Sequence, residues 1–82
     1  MMNEHNLIKI FKKNLRLKTS EIKDLKNGKK NIFFNSHKNW DSLSHVVILN
    51  EIQKKFKIKI NEKNINYFVN YFKIKRYLKK KL

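Results

Sequence analysis

Ser42 is the one side chain in this sequence whose type and position suggest covalent chemistry. It lies between Asp41 and Leu43, where a polar segment gives way to an apolar run. A serine in the first turn of a helix has free backbone N–H groups and the positive end of the helix dipole beside it, and both favour a phosphate held there. A phosphodiester on Ser42 would make the protein a carrier rather than a catalyst. The alternative is that Ser42 shares the capping of the helix with Asp41, a common role for a serine at a helix start.

The other residue types that perform chemistry are dispersed. The histidines have no carboxylate spaced to form a metal site or an acid–base pair with them: they are His5, His37 and His45. The chain has no cysteine, which excludes disulfides and cysteine metal ligands. We therefore predict no catalytic residue and no metal site.

The formal net charge of +15, from 21 Lys and Arg against 6 Asp and Glu, is extreme for 82 residues. Such a charge predicts non-specific attraction to nucleic acid or to anionic lipid. However, the lysines are spread along the whole chain, and the abundance of Lys, Asn and Ile is typical of an AT-rich coding sequence. We therefore attribute most of the charge to compositional bias, and nucleic acid is not the partner that the sequence favours.

The apolar periodicity predicts an all-α fold in a single domain spanning residues 1–82. Apolar residues at spacings of three and four predict a first helix over about residues 4–17. Asp41 is a good N-cap for a second helix over about 41–56. A short helix over about 62–69 and a last helix over about 71–81 follow.

Residues 18–40 lack sustained periodicity and contain the only glycine, Gly28. We predict one long loop here, pinned to the core, with at most a short helical turn near residues 20–25. A loop of this length in a small domain is unusual and often functional.

Two segments of the sequence resemble the acyl carrier protein family. The first is Trp40-Asp41-Ser42-Leu43 with the three residues after it, and the second is the run 51–60, which ends in Phe-x-Ile-x-Ile. In that family an Asp-Ser-Leu motif opens the second helix. The similarity is clearest over residues 38–78. It implies a small four-helix bundle of acyl-carrier type, with three longer helices, one short helix and a long loop between the first and second helices.

The resemblance also implies a cofactor. Ser42 would carry a 4′-phosphopantetheine arm, transferred from coenzyme A by a separate phosphopantetheinyl transferase, and the thiol of the arm would hold an acyl or related group as a thioester. Asp41 would present Ser42 to the transferase, and Leu43 would point into the core. The apolar residues expected to shelter part of the acyl chain are Val46, Val47 and Ile65.

The resemblance implies further partners, but the surface departs from the family pattern. Carriers of this family are acidic on the second and third helices, whereas this chain has Lys54, Lys55 and Lys57 there. Because charge complementarity governs partner choice, we expect acyl-loading, acyl-transfer or condensing enzymes with acidic docking patches, or docking through apolar contacts. These enzymes would belong to a dedicated lipid, polyketide or similar pathway.

Two features of the whole chain bear on where the protein works. No apolar stretch approaches the ~20 residues of a membrane span. The N-terminal residues lack the apolar core of a signal peptide. We therefore expect a cytoplasmic monomer.

Two other function classes remain open from the residues alone. The aromatic residues at 67, 68, 71, 72 and 77 are interleaved with lysines and could form a platform on which bases stack, as in a small basic helical nucleic-acid-binding module. Helical spacing instead predicts core packing for Phe68 and Tyr71. The last helix could alternatively bind anionic lipid through Tyr77 and the lysines at 79–81.

Overall fold

The chain folds into four α-helices; a short connection joins the first two, and longer irregular segments precede the third and the fourth. The computed structural model describes residues 2–82. The helices are α1 (Glu4–Leu15), α2 (Thr19–Asn27), α3 (Ser42–Phe56) and α4 (Tyr71–Lys81), and a 3₁₀ turn at Ile65–Phe68 precedes α4. Over the described range there is no strand, only an isolated bridge between Phe33 and Asn70. The prediction of an all-α fold is confirmed, and the architecture is a small helical bundle.

The helix boundaries follow from side-chain caps and left-handed residues. The Asn3 side chain accepts a hydrogen bond from the backbone N–H of His5 at 2.9 Å, and the Asn70 side chain accepts one from Lys73 at 2.8 Å. These bonds satisfy N–H groups that have no partner within α1 and α4. Arg16 and Lys57 each adopt a φ of 54°, which ends α1 and α3.

The prediction of one loop over residues 18–40 was wrong in its first half, because α2 occupies Thr19–Asn27. Gly28 ends this helix with a φ of 71°, a conformation that glycine adopts without strain. Within α2 only Leu25 is fully enclosed, at 1% exposure. Ile22, which also packs against the core, is the only other apolar residue of this nine-residue helix, so the sequence signal is a single apolar pair at a spacing of three.

The segment between α2 and α3 is pinned to the start of α4. The backbone N–H of Phe34 donates to the carbonyl of Val69 at 2.9 Å, and that of Tyr71 donates to the carbonyl of Ile32 at 3.1 Å. These two bonds flank the Phe33–Asn70 bridge. The long connection is therefore held in place by backbone pairing as well as by apolar contacts.

Three aromatic rings occupy the centre of the core. The Phe11 ring meets Trp40 edge-on with centroids 5.1 Å apart, and it meets Tyr71 in the same way at 5.2 Å. All three are fully buried, as is Phe68, so the predicted core packing of Phe68 and Tyr71 is confirmed. Burial and the neighbouring Glu4 carboxylate, which accepts the phenol hydrogen bond at 2.9 Å, raise the pKa of Tyr71 well above its usual value.

The short helix predicted over residues 62–69 is replaced by a turn followed by the 3₁₀ turn. The Asn61 side chain accepts a hydrogen bond from the backbone N–H of Lys63, and the Asn64 side chain accepts one from Asn61 at 2.7 Å. Asparagine side chains that bind nearby backbone in this way compete with helix formation. In the described part of the chain, no helix combines the length and the apolar character needed to cross a bilayer.

Candidate functional site

Asp41 and Ser44 form a reciprocal cap at the start of α3. The Asp41 carboxylate accepts a hydrogen bond from the backbone N–H of Ser44 at 3.0 Å, and the Ser44 hydroxyl accepts one from the backbone N–H of Asp41 at 3.0 Å. The hydrogen bond from the backbone N–H of Ser44 is the largest of the effects that hold the pKa of Asp41 below its usual range. The Ser44 hydroxyl also lies 2.8 Å from the carbonyl of Asn39, to which it donates. The predicted N-cap role of Asp41 is confirmed.

Ser42 takes no part in this cap. It is the first residue of α3 and is exposed. Its hydroxyl forms no hydrogen bond with any side chain or backbone group in residues 2–82, in contrast to the Ser44 hydroxyl. Since Asp41 and Ser44 complete the cap between them, the capping alternative does not account for Ser42. A nucleophilic or esterified oxygen at this position would leave the cap intact.

A stack of rings holds the first turns of α3 against the core. The indole N–H of Trp40 donates to Nδ1 of His45 at 3.0 Å, and the His45 ring lies parallel to Phe34 with centroids 3.9 Å apart. Burial lowers the pKa of His45, which favours the neutral imidazole that this hydrogen bond requires. Trp40 is thus a core anchor. The sequence predicted no role for His45, and its spacing of five from Trp40 offers no recognisable signal.

The prediction that Leu43 points into the core was wrong, because 77% of its surface is exposed. The rotation of α3 is set by Ile48 and Ile52, which are fully buried. Leu43 precedes Ile48 by five residues, which turns it about 140° away at 100° per residue. Val47 is 40% exposed.

Leu43 joins two valines in an exposed apolar stripe directly beside Ser42. The stripe consists of Leu43, Val46 and Val47, at the i, i+3 and i+4 positions of one helix face. Val46 is 57% exposed, and Ile65 on the 3₁₀ turn is 39% exposed. At these exposures Val46, Val47 and Ile65 are surface residues, and their role in sheltering an acyl chain stays a prediction.

The basic character of α3 is stronger in three dimensions than in the sequence. Glu51, the only acidic residue within α3, forms an ion pair with Lys13 of α1 and accepts a hydrogen bond from the Asn14 side chain. Lys54 and Lys55 on the next turn are exposed. A docking partner would therefore meet these exposed lysines, because the only carboxylate of α3, that of Glu51, is already paired with Lys13.

His37 contacts a carboxylate, so the prediction that no histidine has a carboxylate placed to pair with it was wrong. Nε2 of His37 lies 2.9 Å from the Glu21 carboxylate, and its Nδ1 accepts a hydrogen bond from the backbone N–H of Asn39 at 3.1 Å. These bonds tie α2 to the residues just before α3. Among residues 2–82 no group of three His, Asp or Glu side chains is arranged to hold a metal ion.

Comparisons with protein-family models, with curated proteins and with solved structures gave no match to this chain.

Proposed function

We propose that this protein is an acyl carrier protein in which Ser42 carries a 4′-phosphopantetheine arm. The observation that carries the proposal is an exposed, unpartnered serine hydroxyl on the first residue of a helix that is already capped. Attachment would form a bond between the Ser42 oxygen and phosphorus, and adenosine 3′,5′-bisphosphate would leave coenzyme A. The thiol at the end of the arm would then hold an acyl or related group as a thioester, and the protein itself would perform no catalysis.

The start of α3 suits a phosphodiester for electrostatic reasons. The first N–H groups of a helix lack intrahelical partners, and the helix dipole places partial positive charge there. Asp41 and Ser44 satisfy only some of these donors. A phosphate on Ser42 would sit beside the others, as phosphates do at helix N-termini. The surrounding sequence supports the same assignment through its resemblance to the carrier family.

The exposed apolar stripe supports a role in docking enzymes. Leu43 is more exposed than any other large apolar residue of the described chain, and it is adjacent to Ser42. An enzyme that acts on the arm must approach this part of α3 and would bury the stripe. Lys54 and Lys55 lie further along the helix, so acidic patches on the transferase and on the acyl-loading, acyl-transfer or condensing enzymes would complement them. We place the protein in the cytoplasm as a monomer, where these partners would reach it.

The proposal is tested by adding the arm in vitro. Purified protein is incubated with coenzyme A, magnesium and a promiscuous phosphopantetheinyl transferase, and the intact mass is measured. We expect wild type to gain one phosphopantetheine and Ser42→Ala to gain none.

Ser44→Ala is the matched control, because it removes a hydroxyl two residues away. It should keep the mass gain while losing about 1 kcal/mol of stability, since it deletes a side-chain hydrogen bond of the cap. The proposal fails if wild type gains no mass, or if Ser42→Ala gains as much as Ser44→Ala.

A further inference from the structure

A basic cleft lies between the turn at residues 61–67 and α4. It has a volume of about 580 Å³, within the range of roughly 300–1,000 Å³ typical of ligand sites. No carboxylate lines it, and five cationic side chains do: Lys63, Lys73, Arg76, Lys80 and Lys81. None of these five forms an ion pair with a carboxylate elsewhere in residues 2–82. The cleft therefore concentrates positive charge.

Two tyrosines form the apolar part of the cleft. Tyr67 is 52% exposed and stacks on Tyr77 with ring centroids 5.3 Å apart and an angle of 28° between the ring planes. Tyr77 in turn packs edge-on against the buried ring of Phe68, at 5.1 Å. Tyr67 is thus supported on one side by a ring that rests on the core, while half of its own surface remains available.

Hydrogen bonds fix this wall of the cleft. The Asn64 side chain donates to the Tyr77 hydroxyl at 3.0 Å and to the carbonyl of Lys59 at 2.8 Å. The side-chain carbonyl oxygen of Asn64 accepts a hydrogen bond from the backbone N–H of Asn61. Because Asn64 holds the turn and Tyr77 together, a ligand would find the aromatic wall already ordered, which reduces the entropy lost on binding.

We infer that this cleft binds single-stranded nucleic acid, with a base stacked on Tyr67 and phosphates held among the five cations. Stacking on an aromatic side chain combined with a positively charged groove is how single strands are bound without sequence preference. A duplex would not use Tyr67 in this way, because its bases are already stacked. The inference does not rest on the arm proposed for Ser42, because Ser42 does not line the cleft.

A lipid surface fits the same charges less well. A helix that binds a membrane inserts an apolar face among the lipids. The apolar face of α4 is not available for this, since Tyr71, Ile74 and Leu78 are all fully buried in the core. The exposed side of α4 instead presents cationic side chains beside the stacked pair of tyrosines. These groups suit the phosphates and the projecting bases of a single strand.

The test measures fluorescence anisotropy of a labelled deoxythymidine strand of roughly 12 nucleotides, a length within the site sizes of known single-strand binders. The comparison ligand is an abasic strand with the same number of phosphates. We expect the deoxythymidine strand to bind about tenfold more tightly, through stacking. Tyr67→Leu should remove this advantage while leaving the affinity for the abasic strand unchanged. Because Tyr67 is exposed, this variant should remain folded, which circular dichroism would verify.

The charge component is tested with two double variants of equal net charge. Arg76→Ala with Lys80→Ala removes two cations of the cleft, and Lys23→Ala with Lys26→Ala removes two exposed lysines of α2. The slope of log affinity against log salt should fall by about 1.4 in the first, since each phosphate contact contributes about 0.7 for single strands. In the second the slope should stay as in wild type.

Three results would overturn the inference. The first is equal affinity for the abasic and deoxythymidine strands. The second is an equal decrease of the salt slope in the two double variants, which would show that the strand is attracted to the positive charge of the whole protein rather than to the cleft. The third is full displacement of the strand by phosphatidylcholine–phosphatidylserine vesicles at matched negative charge, which would favour a lipid surface. A tenfold preference for bases that depends on Tyr67, together with a smaller slope for the cleft variant only, would support it.

Discussion

The start of α3 and the cleft beside α4 are both open to solvent but differ in chemical character. The first presents one uncharged hydroxyl next to the exposed apolar stripe. The second presents five cations around a tyrosine wall and no carboxylate. The positive charge of the chain is therefore not distributed evenly over its surface. An apolar stripe suits the surface of a protein partner, whereas the cleft suits a polyanion.

The two regions also differ in how the core supports them. Beneath Ser42, Trp40 and His45 form a hydrogen-bonded pair that fixes the first turns of α3. Beneath the cleft, Phe68 supports Tyr77, which supports Tyr67. The Phe11 ring contacts both Trp40 and Tyr71, and Trp40, Tyr71 and Phe68 all belong to one buried apolar cluster. A change in either support should therefore affect its own region most strongly and the stability of the whole domain as well.

The largest effect should come from removing the support of the cleft. Phe68→Ala empties a fully buried position and should destabilise the protein by about 3–5 kcal/mol. Tyr67→Ala, one residue earlier and half exposed, should cost far less. Denaturant unfolding of the two variants measures the difference. Equal decreases in the free energy of unfolding would mean that Tyr67 contributes as much to the core as Phe68. The distinction between an exposed Tyr67 and the buried residue that supports it would then be wrong.

Removing the exposed apolar stripe should have an intermediate effect, and on function rather than stability. Leu43→Ser with Val46→Ser should change the free energy of unfolding by no more than about 0.5 kcal/mol per site, as for exposed positions generally. The kcat/KM of arm addition should nevertheless fall about tenfold, the loss that corresponds to about 1.4 kcal/mol of docking energy. Phe33→Ser is the control, since Phe33 is also exposed, at 48%, but lies outside α3. An unchanged kcat/KM would remove the stripe as a docking surface.

The smallest effect should be a pH dependence that arises beneath Ser42. Burial lowers the pKa of His45 from its ordinary value of 6.5. The unfolded chain therefore binds a proton at a higher pH than the folded one, and stability is lost as the pH falls below 6.5. We expect the midpoint of urea unfolding to be lower at about pH 5.5 than at about pH 7.5.

His45→Gln is the control for this pH dependence, because glutamine keeps an acceptor for the indole N–H of Trp40 but does not titrate. The part of the pH dependence that belongs to His45 should vanish in this variant. An identical pH dependence in wild type and His45→Gln would show that the titrating group lies elsewhere.

Much of the start of α3 could be predicted because its determinants are local. Asp41 as N-cap and an apolar run after it are visible in consecutive residues, and the helix begins where they indicate. The inward direction of Leu43 could not be predicted, since the rotation of α3 depends on which of its apolar residues the other helices cover. α2 was not predicted because its apolar face consists of only two residues, Ile22 and Leu25, and one pair at a spacing of three is too short a pattern to indicate a helix.

By itself, the sequence determined the all-α class, the N-cap at Asp41 and the position of Ser42 in a first helical turn, because these depend on neighbouring residues and on helical periodicity. Only the tertiary structure decided that Leu43 faces solvent. It also brought Tyr67 onto Tyr77 and gathered dispersed lysines around them. Such contacts depend on how helices pack, and packing is set by the whole core rather than by any one segment of the chain.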